Sequence, residues 1–344
     1  MAAIAPSAYT SGHGISQAGS TADQEKTMKT LTLETTAPFQ GLAELVAYNE
    51  GLFEKEGLLI KWADRERGVD KRPQLDVTDV TGKGVNRYAS HGKLLEEGKA
   101  DLYNACEWGN YCRVESTKVG SRQIGRRSIV TFAALVVRGD SPVQTPQQFA
   151  NRQIGVPFFF GTHYLTLQML EGFIPREMIK LGRVPNGSPY RFKLLMDGEI
   201  EATTLTEPYI SLAEKKGCRL IISAFHHGTE VASDRVDAET YSAFNRAVRE
   251  AVRRISANKR AYLHYFIDYY KDKDPEIAKL TIDDLRESRI YVVDPAPIPL
   301  DELQRTYEWM KSWGFLDETP SPLDLINPVV QQQGYAKSQS AAVQ

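Results

Sequence analysis

Apolar positions along the chain recur in two alternating rhythms. Leu31 and Leu33 alternate with polar neighbours over Met28–Leu33, the period of a strand with one buried face. Over Gly41–Asn49 the spacing changes to three and four, which turns Leu42, Leu45 and Val46 inward on a helix. The exchange then repeats. A strand is expected at Leu59–Trp62, a short helix at Arg87–Glu97, a strand at Ala100–Ala105 and a strongly apolar strand at Ile129–Val137. Thr145 and Pro146 open another short helix, with proline at its first position. Residues 64–86 interrupt the rhythm with a polar segment containing Gly68, Pro73, Gly82 and Gly84. A loop of that length is usually functional or disordered.

Ile154–Pro157 reads as a buried strand that runs through Phe158, Phe159, Phe160 and Gly161 into a helix whose Leu167, Leu170 and Ile174 share one face. Thr162 is the expected N-cap. A helix opening from a strand end presents free N–H groups and a positive dipole, which suits an anion. Strands are expected next at Arg191–Leu195, Ala202–Leu205 and Cys218–Ser223. From Asp237 the pattern is helical. Tyr241, Phe244, Val248, Ala251 and Val252 form one stripe, and Tyr262, Tyr265, Phe266 and Tyr269 another. A final helix at Leu300–Trp313 ends at Gly314. Strands alternating with helices through residue 223 predict an α/β sheet architecture.

Composition narrows the classes. At 344 residues the chain is comfortable for two lobes. A formal charge of −2 gives nucleic acid or an acidic membrane surface no reason to bind. Cys106, Cys112 and Cys218 are an odd number without framework spacing, which suits a reducing compartment. Residues 1–27 are rich in Ala, Ser, Gly and Thr, without the basic start and apolar core of a secretory signal. They are expected to be a disordered tail, as are residues 331–344. No apolar run approaches the ~20 residues that span a bilayer. The expectation is a cytoplasmic protein with no membrane contact.

Several landmarks then line up. They are Gly51–Leu58, Leu94–Leu102, Val137–Pro142, Ile154–Pro157, Leu195–Ala202 and Glu207–Tyr209. In this order and spacing, across about residues 29 to 316, the chain resembles substrate-binding proteins of the nitrate, sulfonate and thiamine-precursor type. The resemblance implies an α/β, two-lobed type 2 periplasmic-binding-protein fold. Its first lobe would be discontinuous (28–136 and 224–330), its second in the middle (137–223), with two crossing strands as hinge and a ligand cleft between the lobes. Most relatives of that kind are receptors feeding a transporter. A few are intracellular enzymes, among them aryl-sulfinate desulfinases, hydroxyphthalate decarboxylases and the pyrimidine synthase of thiamine biosynthesis. The cysteine tract of the pyrimidine synthase is missing here. The desulfinase nucleophile would fall near Pro38, and its sulfinate-gripping arginine near Arg87.

Candidate chemistry follows from these placements. Thr35, Thr36, Phe39 and Gln40 stand where the first strand meets the first helix, with groups that hydrogen-bond or stack on a ligand. Arg87 offers paired N–H donors to a carboxylate or sulfonate, near Lys83, Asn86 and His91. Cys106, Glu107 and Trp108 follow the third strand, and Cys106 becomes a nucleophile if a cation or helix start lowers its pKa. His163 with Glu207 would make an acid/base pair, and Gly161 and Thr162 a second anion contact. Tyr209 ends the Glu-Pro-Tyr wall, while His226 and His227 stand where the chain crosses back. No HxH or HExxH spacing points to a metal, and no organic cofactor is expected. The function expected is an enzyme performing a lyase or hydrolase-type step on a small anionic organic acid. The alternative is a non-catalytic binding protein, either a transporter receptor or a cytosolic sensor.

Overall fold

The computed structural model describes residues 28–64, 75, 79–82, 92–116, 122–316 and 321–340. The chain begins with β1 (Lys29–Glu34), α1 (Pro38–Asn49), α2 (Leu52–Lys55), β2 (Leu58–Ala63), α3 (Lys93–Glu96), β3 (Leu102–Cys106), α4 (Glu107–Ser116) and β4 (Arg122–Arg126). It continues through β5 (Ile129–Val137), β6 (Gln153–Val156), α5 (Gly161–Glu171), β7 (Lys180–Arg183), α6 (Ser188–Met196), β8 (Ala202–Thr206), α7 (Tyr209–Lys215) and β9 (Arg219–His226). It closes with β10 (Gly228–Ala232), α8 (Ala238–Ala257), α9 (His264–Lys271), β11 (Tyr291–Val292), α10 (Leu300–Ser312) and α11 (Pro328–Ser340).

Two sheets result. The first has the order β2-β1-β3-β10-β4, with β1 parallel to both β2 and β3 and with β10 antiparallel to β3 and β4. In the second, β6 lies between β7 and β8, β8 pairs with β5, and β5 also carries β9 and β11. The chain leaves the first sheet at Arg127–Ser128 and returns at His227. The boundaries expected at 136/137 and 223/224 therefore fall inside β5 and β9, which are the crossing strands themselves.

The first core lies between its sheet and helices α1 and α8. Leu31, Leu33, Leu42, Val46, Phe53, Phe244 and Val248 are buried there, and the Phe53 and Phe244 rings stack at 5.4 Å. Each such side chain contributes about 1.5–3 kcal/mol of transfer free energy. The second core continues across the lobes. Trp108 of α4 stacks on Tyr164 of α5 at 5.9 Å, and Tyr164 meets Phe315 at 5.0 Å. Helix α10 ties both sides. Tyr111 donates to the Leu303 carbonyl at 2.6 Å, Thr306 donates to Glu107 at 3.1 Å, and Trp313 Nε1 donates to Glu171 at 3.0 Å.

Further expectations differ from the structure. Arg191–Leu195 is helix, not strand. Pro189 opens α6, and the buried Ser188, Arg191, Phe192 and Leu195 follow a helical period that a five-residue window hides. Thr162 is not the N-cap of α5. Phe160 holds that place in extended conformation, and Thr162 sits inside the first turn. Residues 328–340, in part expected as tail, form α11 against α8, because Val330 and Tyr335 bury there and Tyr335 bonds Tyr241 at 2.7 Å.

Candidate functional site

The polar interior gathers where the chain crosses between the sheets. In the β3–β10 ladder, Gly228 faces Cys106, Thr229 faces Ala105 and Glu230 faces Asn104. The end of β3, the start of β10 and the Arg127–Thr131 crossing therefore meet in one place. Arg127 is fully buried there. Its Nε donates to the Ile129 carbonyl at 3.2 Å and its Nη2 to Thr131 Oγ1 at 2.6 Å. Thr131 in turn donates to the Phe39 carbonyl at 2.8 Å, which ties the crossing strand to the start of α1. A Cβ on Gly228 would fall 2.2 Å from Arg127 Cζ, so glycine at this position admits the guanidinium.

Around Arg127 the inventory of buried polar atoms is unusual. Arg127 Nη1, Ser128 Oγ, Thr229 Oγ1, His226 Nδ1, Trp108 Nε1, Glu44 Oε2 and Glu230 Oε1 have no hydrogen-bond partner among the described residues. Most buried polar groups in folded proteins are paired, with protein or with ordered water. Burial lowers Arg127 to about 10, which leaves it cationic at neutral pH. Burial, with Arg127 and His227 adding to it, pushes His226 down to about 3, so this imidazole is neutral.

The second lobe presses on this place through the start of α5. A methyl group on Gly161 would lie 3.2 Å from Cys106 Cβ and 3.4 Å from His226 Nε2. The Trp108 ring lies 5.4 Å from His226. A shallow, open recess lies along the crossing strand β5. Phe39, Thr131, Phe132, Glu207, Phe266 and Arg289 are among the residues that line it.

The residues expected from the sequence divide. Cys106, Trp108, Gly161 and Phe39 come to the crossing. The Cys106 thiol accepts from the Gly109 amide at 3.4 Å, and burial pushes it up to about 11, so it is a protonated thiol. Thr36 is buried behind α1, while Thr35 donates to Asp64 at 2.7 Å and closes the β1–β2 end. Tyr209 is buried in the second lobe, where its hydroxyl donates to Asp274 at 2.7 Å. Thr162 accepts through its carbonyl from Thr166 at 2.5 Å. Arg87, with Lys83, Asn86 and His91, lies outside the described residues.

The expected His163–Glu207 pair is not assembled. His163 Nδ1 accepts from the Phe159 amide at 3.1 Å, and Nε2 meets the Val80 carbonyl at 2.7 Å, which fixes the tautomer with the proton on Nε2. Burial holds this imidazole at about 4. Glu207 accepts from Arg289 at 3.0 Å and from the Ser211 amide and hydroxyl, both at 3.1 Å. Both groups are spent on their own neighbours. Sequence reasoning did not single out Arg127, Glu44, Asn104 and Glu230, because their meeting depends on pairing between segments far apart in the chain. Among the described residues, no group of three or more His, Cys, Asp or Glu is placed to hold a metal.

No protein-family model matches the chain, and no curated protein matches by sequence. Solved structures do. The alkanesulfonate-binding protein SsuA of Xanthomonas axonopodis pv. citri, bound to MOPS, superposes with a TM-score of 0.61 at 12% identity, covering 88% of this chain and 97% of that one. A Candida albicans gene product, CA3427, described as having the generic periplasmic binding protein fold, gives 0.58 at 12%, covering 90% and 95%. The desulfurization enzyme DSZB gives 0.57 at 14%, covering 90% and 99%. The chain thus has the two-lobed periplasmic-binding-protein fold that its landmarks imply. Among the described residues no helix is long and apolar enough to cross a membrane.

Proposed function

We propose that the protein binds a small organic anion in the cleft between its lobes, with Arg127 as the cation that holds it. The carrying observation is the Nη1 of a fully buried arginine, without a partner among the described residues and set among other buried polar atoms in the same state where the two lobes meet. A guanidinium with a free N–H edge in a low-dielectric setting matches a carboxylate, sulfinate or sulfonate. The Trp108 ring and the Phe39 and Phe132 side chains near the crossing give an organic body something to pack on. The sulfonate bound by the Xanthomonas neighbour supports the same ligand class. Three free cysteines, all buried, fit action in a reducing compartment.

Calorimetry with benzenesulfonate and benzoate, in buffers free of sulfonates, tests this reading. Arg127→Met should weaken binding about 10- to 150-fold, the ~1.5–3 kcal/mol of a lost charged hydrogen bond. The unfolding midpoint of the variant serves as control. If the wild type binds no anion of a carboxylate and sulfonate panel, the reading fails.

A lyase or hydrolase step is the second reading. It is favoured by Cys106, whose side chain packs against the start of α5 at Gly161 on the cleft wall. The protonated state of that thiol opposes it. Turnover of an aromatic sulfinate that is lost in Cys106→Ser would establish it.

A further inference from the structure

We infer that the cleft takes up its anion together with a proton, which the side chains of Glu44 and Glu230 receive beside Arg127. This deepens the anion-binding reading and rests on it.

The geometry begins with the ladder. Asn104 and Glu230 are direct partners across β3 and β10, so their side chains lie on the same face of the sheet. Asn104 Nδ2 reaches from that face to Glu44 Oε1 of α1 at 2.8 Å. Glu230 Oε2 accepts from the Tyr241 hydroxyl of α8 at 2.5 Å, and Tyr241 meets Tyr335 of α11 at 2.7 Å. A Cβ on Gly125 would lie 2.0 Å from Tyr335 Oη and 2.1 Å from Tyr241 Oη, so the glycine of β4 opens the way for both phenols. Glu44 is 1% exposed, Glu230 and Arg127 are 0% exposed, and one oxygen of each carboxylate has no partner among the described residues.

Two buried carboxyl groups thus lie within the electrostatic reach of one buried guanidinium, which makes no direct ion pair with either among the described residues. Isolated charges in such an interior are strongly disfavoured, so the cluster stays near neutrality by moving protons. Burial raises both carboxyls, and their mutual repulsion raises Glu230 further. With one carboxylate ionised, Arg127 is balanced. When a ligand anion arrives at Nη1, the balance returns only if that carboxylate gains a proton from solvent: ligand anion plus H⁺ enter, and no other bond changes.

The other groups facing the cluster do not supply this proton site. His226 and His227 are held below their usual range by burial, with nearby arginines adding to it. Tyr241, Tyr335 and Cys106 are all pushed up by burial. Arg126 and Arg127 stay cationic at neutral pH. Among the described residues the competitor is Glu107 of α4, raised to about 7 by burial, and it bonds Thr306 instead of either glutamate.

Benzenesulfonate is the probe, because it stays ionised throughout and any proton taken up belongs to the protein. Titrations in Tris and in imidazole, whose ionisation heats differ, read the number of protons directly. The wild type should take up between a fraction and one proton per anion, with affinity falling up to tenfold per pH unit as pH rises. Glu44→Gln with Glu230→Gln keeps both acceptor oxygens for Asn104 and Tyr241. That double variant should bind as tightly as the wild type at its acid optimum or tighter, without proton uptake and without pH dependence. Glu107→Gln should leave the uptake intact. The infrared C=O band of a protonated carboxyl should grow on adding benzenesulfonate to the wild type and not to the double variant. Binding without proton uptake overturns the proposal alone. Uptake that persists in the double variant, or vanishes in Glu107→Gln, also overturns it. If no anion binds, the functional reading falls and this inference with it.

Discussion

His163 and His226 are both buried against aromatic rings, yet they are held in opposite ways. His163 packs on Phe158 at 4.6 Å, and its two nitrogens are taken by the Phe159 amide and the Val80 carbonyl. His226 lies against Trp108 with Nδ1 unpartnered among the described residues, next to Gly161 and in the field of Arg127. The first histidine is a brace that joins the Phe158–Gly161 turn to residue 80. The second belongs to the polar interior where the lobes cross. The same residue type therefore serves as a support in one lobe and as part of the polar interior at the crossing, and only the partners of the ring nitrogens tell them apart.

The largest expected effect tests the brace. His163→Ala removes two backbone hydrogen bonds and leaves the volume of a ring, which together should cost about 3 kcal/mol of stability. Anion affinity should stay within about threefold. The ring also predicts an acid sensitivity. Its folded pKa of about 4 lies below the model value of 6.5, so the unfolded chain binds the proton first. The stability His163 supplies is complete above about 6.5 and is lost as pH falls through about 4. Chemical denaturation between pH 4 and 7 should show this slope in the wild type and a shallower one in His163→Ala. A variant that keeps its stability but loses anion binding would move His163 from brace to ligand contact.

How much of this was legible in the sequence depends on which way charge was read. Leu31, Leu33 and the long stripe of α8 gave strand and helix directly, because burial on one face writes a period. Helix α1 shows where the rule fails. It was read with Leu45 inward, yet Leu45 is partly exposed and Glu44 is buried, since this helix is covered on nearly every side. Strands β4 and β10 were missed for a related reason. Gly125, Gly228, Thr229 and Glu230 look like loop residues, while β10 is paired on both sides, β4 is paired to it, and the glycines make room for Arg127, Tyr241 and Tyr335. That Cys106, Trp108 and Gly161 stand at element ends was legible from landmarks along the chain, and the structure brings them to the crossing. Arg127 was not legible, because its burial follows from the distant Gly228, which makes room for the guanidinium and which no local pattern encodes.

The crossing itself is probed by Gly161→Val. A Cβ there already meets Cys106 and His226 at distances tighter than most side-chain contacts, and the added methyls would wedge the start of α5 away from β3 and β9. Overpacking of this size costs about 1–3 kcal/mol. If it acts on the closed cleft, it should appear as roughly a tenfold weaker dissociation constant, the equivalent of 1.4 kcal/mol. The same substitution should leave the His163 brace in place, so the acid slope of stability should match the wild type. A change in stability without a change in affinity would show that α5 and the crossing separate when ligand is held.

The smallest effect is expected at Cys106, and it decides between binding and catalysis. A thiol at about 11 has far less thiolate at neutral pH than a free cysteine, so iodoacetamide should modify it about a hundredfold more slowly or worse. Cys106→Ser keeps a polar group of similar size beside Gly109 and Gly161, and its anion affinity should stay within about threefold. The sharper measurement is alkylation with and without a bound anion. A ligand that pairs with Arg127 removes a stabilising charge from the thiolate and should slow modification further. Acceleration by the anion would mean that ligand binding activates the sulfur. His226 would then be the neutral base beside a nucleophile, and the crossing a site of chemistry as well as of capture.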